Sequence, residues 1–273
     1  MDLDNKNFII TGASRGIGAA IAASLAKRNA NLFLIAKTLD QHPKLSGSLQ
    51  QTLQDIQSLG NGTKEIFALD IRDLEKLQGF VDAIQARGIA IDGLINNAGS
   101  VMLGTFDKVT PKRFRLMNEI NVQAPYALVH MLHRSFSTGA HIVNIAPSTH
   151  DYRKWMPGTT AYSLTKYGLS ILTTGLAQEL ADIPVYVNGL WPEKLIATAA
   201  IEHVVADKAL FPYCRKPEIM GDAVIALLHD QDRPTGQFFT DTQVLQKSGV
   251  TDFVSYCFDT SYSHLLKNDL YIN

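Results

Sequence analysis

Apolar and polar positions divide the chain into short apolar runs and longer stretches of helical period. Phe8-Ile9-Ile10 leads into an Ala-rich helical stretch over 16–29, and then into the wholly apolar Leu32-Phe33-Leu34-Ile35-Ala36. The alternation continues to residue 240. Helices are predicted over 46–59, 73–87, 111–135, 161–181 and 218–229, and further strands over 65–69, 92–95, 141–145, 184–190 and 237–240. Strands apolar on both faces, separated by helices, predict a parallel sheet covered on both sides. Right-handed crossovers then give a doubly wound, three-layer α/β/α sheet of Rossmann type in a single domain, placed over 1–245. Residues 195–217 are irregular and apolar and read as a flap over a substrate. Residues 246–273 mix Tyr, Phe and Ser without a period and form an extension of unassigned role.

Composition narrows the function classes. With 46% hydrophobic residues over 273 positions, the chain can bury a large core. The net charge of -1 gives no basic surplus for a nucleic acid. Two cysteines, Cys214 and Cys257, make neither a disulfide framework nor a metal quartet and read as reduced thiols. None of the eight histidines forms a helical H-x-x-x-H pair beside a carboxylate, so no metal is expected. His130 and His133 share a helix face and read as surface or interface residues. The first residues carry no basic-then-apolar signal pattern, no run reaches the ~18 apolar residues of a membrane span, and the last residues match no retention address. A soluble cytoplasmic protein is therefore expected, with no membrane partner.

The first strand runs into Thr11-Gly12-Ala13-Ser14-Arg15-Gly16-Ile17-Gly18. Three glycines between a strand and a helix allow a tight turn and close approach of a pyrophosphate, and the helix N-terminus adds free N–H groups. Gly12, Ser14, Arg15, Gly16, Ile17 and Gly18 are thus candidate dinucleotide ligands. The second strand ends in Ala36-Lys37-Thr38, without the acid that holds a ribose 2′-hydroxyl in NAD enzymes of this architecture. Lys37, with Arg15, can instead pair with a 2′-phosphate, which points to NADP(H); the other reading makes both ordinary surface charges. Asp70 ends the third strand and either accepts from the adenine amino group or caps the next helix. Asn96-Asn97-Ala98-Gly99 ends the fourth. There Asn97, Ala98 and Gly99 can lie against ribose and nicotinamide, while one asparagine braces the strands. Tyr162 and Lys166, four apart on a helix, share a face. An ammonium near a phenol, whose free pKa is ~10, lowers that value and fits it for proton transfer.

With these motifs placed, the chain resembles the short-chain dehydrogenase/reductase family. The matching residues are Thr11-Gly12-x-x-x-Gly16-x-Gly18, Asn96-Asn97-Ala98-Gly99, Asn121-Val122, Ile142-Val143-Asn144-Ile145, Tyr162-x-x-x-Lys166 and Trp191-Pro192, in family order over roughly 5–245. A narrower group, some of whose members carry a sterol-carrier domain after this one, shares His42-Pro43-Lys44-Leu45-x-Gly47, Ala197-Thr198-Ala199-Ala200 and Cys214-Arg215-Lys216. The chain is expected to stop before such a domain. The resemblance implies Tyr162 as proton donor or acceptor and Lys166 as the group that tunes it and holds the nicotinamide ribose. It also implies Asn121 in a water relay, Ile196 and Thr198 against carboxamide or phosphates, and a homodimer or homotetramer through the two long helices. The implied function is NADP(H)-dependent reduction of a carbonyl or oxidation of an alcohol. Trp155, Met156, Trp191, Phe211 and Tyr213 suggest an apolar substrate.

Two departures from the family stand out. The second serine after Asn-Ile is replaced in Asn144-Ile145-Ala146-Pro147-Ser148, so Ser148 becomes the candidate donor to the substrate oxygen. Loss of such a donor costs ~10² to 10³ in rate elsewhere. That leaves open a catalytically weak NADP(H)-binding sensor. Glycine usually follows the proline of Trp191-Pro192; here Glu193-Lys194 follows and reads as an outward-facing ion pair worth little.

Overall fold

The computed structural model describes residues 3–41, 46–204 and 208–272. The strands are β1 (Asn7–Thr11), β2 (Asn31–Ala36), β3 (Lys64–Ala68), β4 (Ile91–Asn96), β5 (Phe136–Ile145), β6 (Val185–Trp191) and β7 (Phe238–Thr240). The helices are α1 (Gly16–Ala26), α2 (Leu49–Ile56), α3 (Leu74–Ala86), α4 (Pro111–Asn118) and α5 (Ala124–Leu132). They continue with α6 (Thr160–Glu179), α7 (Ala199–Val204), α8 (Glu218–Leu228) and α9 (Asp241–Lys247). All seven strands pair in parallel in the order β3-β2-β1-β4-β5-β6-β7. This is the expected single-domain, doubly wound sheet. Its order reverses between β1 and β4, where a crevice opens outside the carboxyl ends of the strands.

Strand residues alternate between the two helical layers. Ile10, Leu32 and Leu34 join the layer of α1 and α8, whereas Ile9, Phe33 and Ile35 join that of α3 and α5. Each face of the sheet is therefore buried, which is why these runs are continuous rather than alternating in polarity. Residues past 245 belong to the first layer as well. Val250, Phe253 and Tyr256 pack against it, and Tyr271 is buried in it. Two short 3-10 turns, Val254–Tyr256 and Thr260–Leu265, carry the chain back toward the sheet.

The helix expected over 111–135 is a correction. It is interrupted by a wide π turn, Glu119–Gln123, in which the Ala124 N–H donates to the Glu119 carbonyl. Pro125 has no N–H for the Asn121 carbonyl four residues back, so an unbroken α-helix is not available there. α2 starts later than expected because Gly47 adopts a left-handed φ of +85° and Ser48 caps the helix through the Gln51 N–H. The expected flap over 195–217 holds α7 and a 3-10 turn, Lys208–Tyr213, and the run His42–Leu45 lies outside the described residues.

The turn after β1 is fixed by contact. A Cβ on Gly18 would meet the Gly12 carbonyl oxygen at 2.3 Å and Asn97 Nδ2 at 2.5 Å. Backbone there cannot yield cheaply. Gly18→Ala is expected to destabilise the fold by ~1–3 kcal/mol, as overpacking does, and to weaken dinucleotide binding. Urea unfolding and a binding titration check both.

Candidate active site

A cleft of about 490 Å³ lies along the carboxyl ends of β1 to β4. Gly12, Ser14, Arg15, Gly16 and Ile17 form one wall, and Asn97, Ala98 and Gly99 form the floor. Gly12 and Gly16 have φ of +68° and +55°, conformations that favour glycine. A Cβ on Gly12 would come within 2.8 Å of the Ala98 Cα. The turn is locked to β4 by side chains. Asn97 Nδ2 donates to the Thr11 and Gly12 carbonyls, and Thr11 Oγ1 accepts from the Asn97 and Ala98 N–H groups. Asn96 Nδ2 donates to Asn144 Oδ1, the strand brace expected of one of this pair.

The end of the cleft beside β2 and β3 holds one more charged pair than the motifs alone suggested. Lys37 lines the cleft with Thr38, Asp70 and Arg72. Arg72 grips Asp70 through Nε and Nη2, at 3.0 and 2.7 Å, and holds its carboxyl below the usual range, with Lys37 adding to the effect. Arg72 was missed because it lies four residues past the end of β3, beyond the Asp70 position that a motif reading inspects. Arg15 lines the cleft, yet its guanidinium donates to the Ser46 and Gly47 carbonyls and so ties the glycine turn to the loop after β2. Of the two residues expected beyond Pro192, Thr198 lines the cleft, whereas the Ile196 side chain is buried in the core.

The inner end of the cleft meets α6. Tyr162 and Lys166 are both buried there. A Cβ on Gly99 would lie 3.8 Å from Lys166 Nζ and 3.6 Å from Asn121 Oδ1, which places both groups beside the cleft floor. Asn121 is fully engaged: Oδ1 accepts from the Ser100 N–H, and Nδ2 donates to the Ser100 carbonyl and Thr165 Oγ1. Lys166 Nζ donates to the Ile145 carbonyl at 2.8 Å and lies 5.2 Å from the Trp191 ring centroid. Burial brings its ammonium down to about 8, opposed by the charge of Asp269.

The expected lowering of the Tyr162 phenol is corrected. Burial raises it well above its usual value, and Tyr271 and Asp269 push the same way. Desolvation of the phenolate outweighs Lys166, whose ammonium is turned toward Ile145 and Trp191. Ser148 Oγ is bonded to His150 Nδ1 at 2.6 Å, and the Pro147 carbonyl accepts from Ser170 Oγ. Phe211 and Tyr213, expected at the substrate mouth, pack edge-on instead against Phe258 and Tyr262. Glu193 and Lys194 pair at 3.7 Å but do not simply face outward. Lys194 Nζ donates to Asn268 Oδ1, and the Glu193 carbonyl accepts from the Asp269 N–H.

Residues 6–209 match the family model for short chain dehydrogenases. The chain belongs to that family. Hydroxysteroid dehydrogenase-like protein 2 of Danio rerio is 35% identical over 97% of this chain. The chain spans 63% of that relative's length. A crystal structure of a short chain dehydrogenase from Mycobacterium thermoresistibile superposes with a TM-score of 0.91 at 34% identity, covering 100% of this chain and 96% of that one. A metagenomic short-chain oxidoreductase in complex with NADP matches with a TM-score of 0.69 at 26% identity, covering 87% of this chain and 97% of its own. Carveol dehydrogenase from Mycobacterium avium in complex with NAD shares the fold, with a TM-score of 0.74 at 22% identity over 87% of this chain and 96% of its own. No described helix is long and apolar enough to cross a membrane.

Asp269 titrates in an accessible range. Burial, with Asp241 adding and Lys166 opposing, moves its carboxyl up to about 7. An unfolded aspartate sits near ~3.9, so between these values the folded chain keeps a proton that the unfolded chain has lost. Stability from this group is full below the lower value and falls as pH rises to about 7. Asp269→Asn is expected to flatten that decline, read from urea midpoints between pH ~5 and ~7.5. Equal slopes in the two proteins would contradict it.

Proposed function

We propose that this chain is an NADP(H)-dependent oxidoreductase, a carbonyl reductase or alcohol dehydrogenase, acting on a small apolar alcohol, aldehyde or ketone. The observation that carries the reading is the Lys166 ammonium beside the Gly99 floor of a glycine-walled cleft, with Tyr162 one helical turn earlier on α6. The glycine positions fit such a group, since each leaves backbone where a side chain would stand. A bound nicotinamide would supply hydride exchange at its ring. Gly12 through Gly18 would hold the pyrophosphate, and Asn97, Ala98 and Gly99 the ribose and ring edge. Lys37 and Arg72 line the end where a 2′-phosphate would lie, and β2 ends without an acid.

The chain's own groups divide the remaining work. Lys166 Nζ would bind the ribose hydroxyls. Tyr162 Oη would give a proton to a carbonyl oxygen or take one from an alcohol. Asn121, on the π turn, would keep the inner wall polar and connect the ammonium to water. Trp155, Met156 and Trp191 supply the apolar side. Leu164 and Ile171 leave an apolar stripe on α6 exposed, which supports a homodimer or homotetramer through that face. Pro147 in the usual serine position favours a second reading, a cofactor-binding protein with little turnover. Tight NADPH binding without oxidation across aldehydes and ketones would select it.

Tyr162→Phe is expected to abolish turnover while leaving the NADPH dissociation constant nearly unchanged; retained turnover would remove Tyr162 from the mechanism. Lys37→Glu is expected to weaken NADPH binding by ~10-fold or more, the scale of one charged hydrogen bond, with NADH binding little affected. Paired fluorescence titrations of the two cofactors check this.

A further inference from the structure

The substrate side of Tyr162 is closed by the chain's own end. The Tyr271 ring stacks on Tyr162, with centroids 6.4 Å apart and planes 28° apart. Its other neighbours are Tyr167 at 5.1 Å, Trp191 at 5.6 Å and Trp155 at 5.9 Å, and its hydroxyl is 3.0 Å from Ser163 Oγ. Tyr162 is left 7% exposed. These are the apolar groups that an oxidoreductase would turn toward its substrate.

The segment that carries Tyr271 is held by a short ladder. Leu195 N–H donates to the Lys267 carbonyl, and Asp269 N–H donates to the Glu193 carbonyl. Trp191 Nε1 donates to the Leu270 carbonyl at 2.8 Å. Lys194 Nζ holds Asn268 Oδ1 from the side. The ladder docks on the Glu193-Lys194 stretch that departs from the family pattern.

Closure also carries unfavourable terms. Tyr271 has φ of +69°, a left-handed conformation that strains a bulky residue. The Tyr167 hydroxyl and Trp155 Nε1, both against the Tyr271 ring, are buried without hydrogen-bond partners. Such orphaned groups cost ~1–3 kcal/mol each and regain water or ligand partners on opening. Segments held by few bonds open far more readily than a core strand.

We propose that Lys267–Ile272 is an autoinhibitory strap. Tyr271 fills the space that a carbonyl or alcohol must take beside Tyr162, and the strap leaves before substrate enters. This rests on the oxidoreductase reading above. Opening also removes the two groups, Tyr271 and Asp269, that add to the raised phenol, so access and activation of Tyr162 are coupled.

Two measurements on the full chain test the strap. In hydrogen exchange of the wild-type protein, the Leu195 and Asp269 amides are expected to exchange at least ~10²-fold faster than amides inside β6, through local opening. Exchange at the β6 rate would overturn the strap. In kinetics with NADPH and benzaldehyde, Tyr271→Ala and the anchor variant Lys194→Ala are each expected to raise kcat/KM, by ~10-fold for the first, as a closed majority state is removed. A fall in both variants, with circular dichroism showing them folded, would make Tyr271 a wall of the pocket and overturn the strap. Absence of turnover in every form, across aldehydes and ketones, would overturn the oxidoreductase reading instead; the exchange rates then decide the strap alone.

Discussion

The contact between the turn after β1 and the end of β4 sets the position of everything else. Asn97 reaches across the switch in strand order to hold the Thr11 and Gly12 carbonyls, and Gly18 lies directly beneath. Because the connections after β1 and β4 run to opposite helical layers, the crevice between the strand ends is open, and this brace fixes its floor. Gly99 continues that floor to Lys166 and Asn121. The wall, the floor and the Lys166 ammonium are therefore placed by the ends of β1 and β4.

At the inner end, desolvation and charge oppose each other. Tyr162 and Lys166 are buried, and Asp269 is half-buried, beside an aromatic shell of Trp191, Trp155 and Tyr271. Burial lifts the phenol and the carboxyl toward their protonated forms and lowers the ammonium to about 8. All three shifts favour neutral groups, as a low-dielectric site requires. A phenol in that state is a poor proton carrier near neutral pH. The arrangement suits a closed resting site, and ionisation of Tyr162 requires water or polar ligand groups to return.

The sheet was legible because its strands are buried on both faces and separated by helices, a pattern that few other folds produce. The glycine turn, Asn97, Tyr162 and Lys166 were legible because each is needed at a fixed place on that frame. The π turn had a readable signal in Pro125, four residues after Asn121, but helical periodicity hides a single wide turn. Arg72 needed the side-chain geometry around Asp70. Tyr271 left no trace, since its role depends on a segment without period folding back over a separation of 108 residues to reach Ser163 on α6. The raised phenol was illegible for the same reason: a spacing of four reports proximity to Lys166 but not the burial that outweighs it.

The departures from the family pattern converge on one side of Tyr162. Pro147 removes a donor toward the substrate oxygen, and Ser148 is occupied by His150. Glu193 and Lys194 replace the usual small residue and anchor residues 268 and 269. Tyr271 then stacks on Tyr162 itself. A site whose substrate side is rebuilt while its cofactor side keeps every glycine has been altered in access and orientation, with the hydride geometry left alone. The Tyr167 hydroxyl and the Trp155 N–H, buried without partners on rings that pack against Tyr271, are the polar groups that opening of the strap would free.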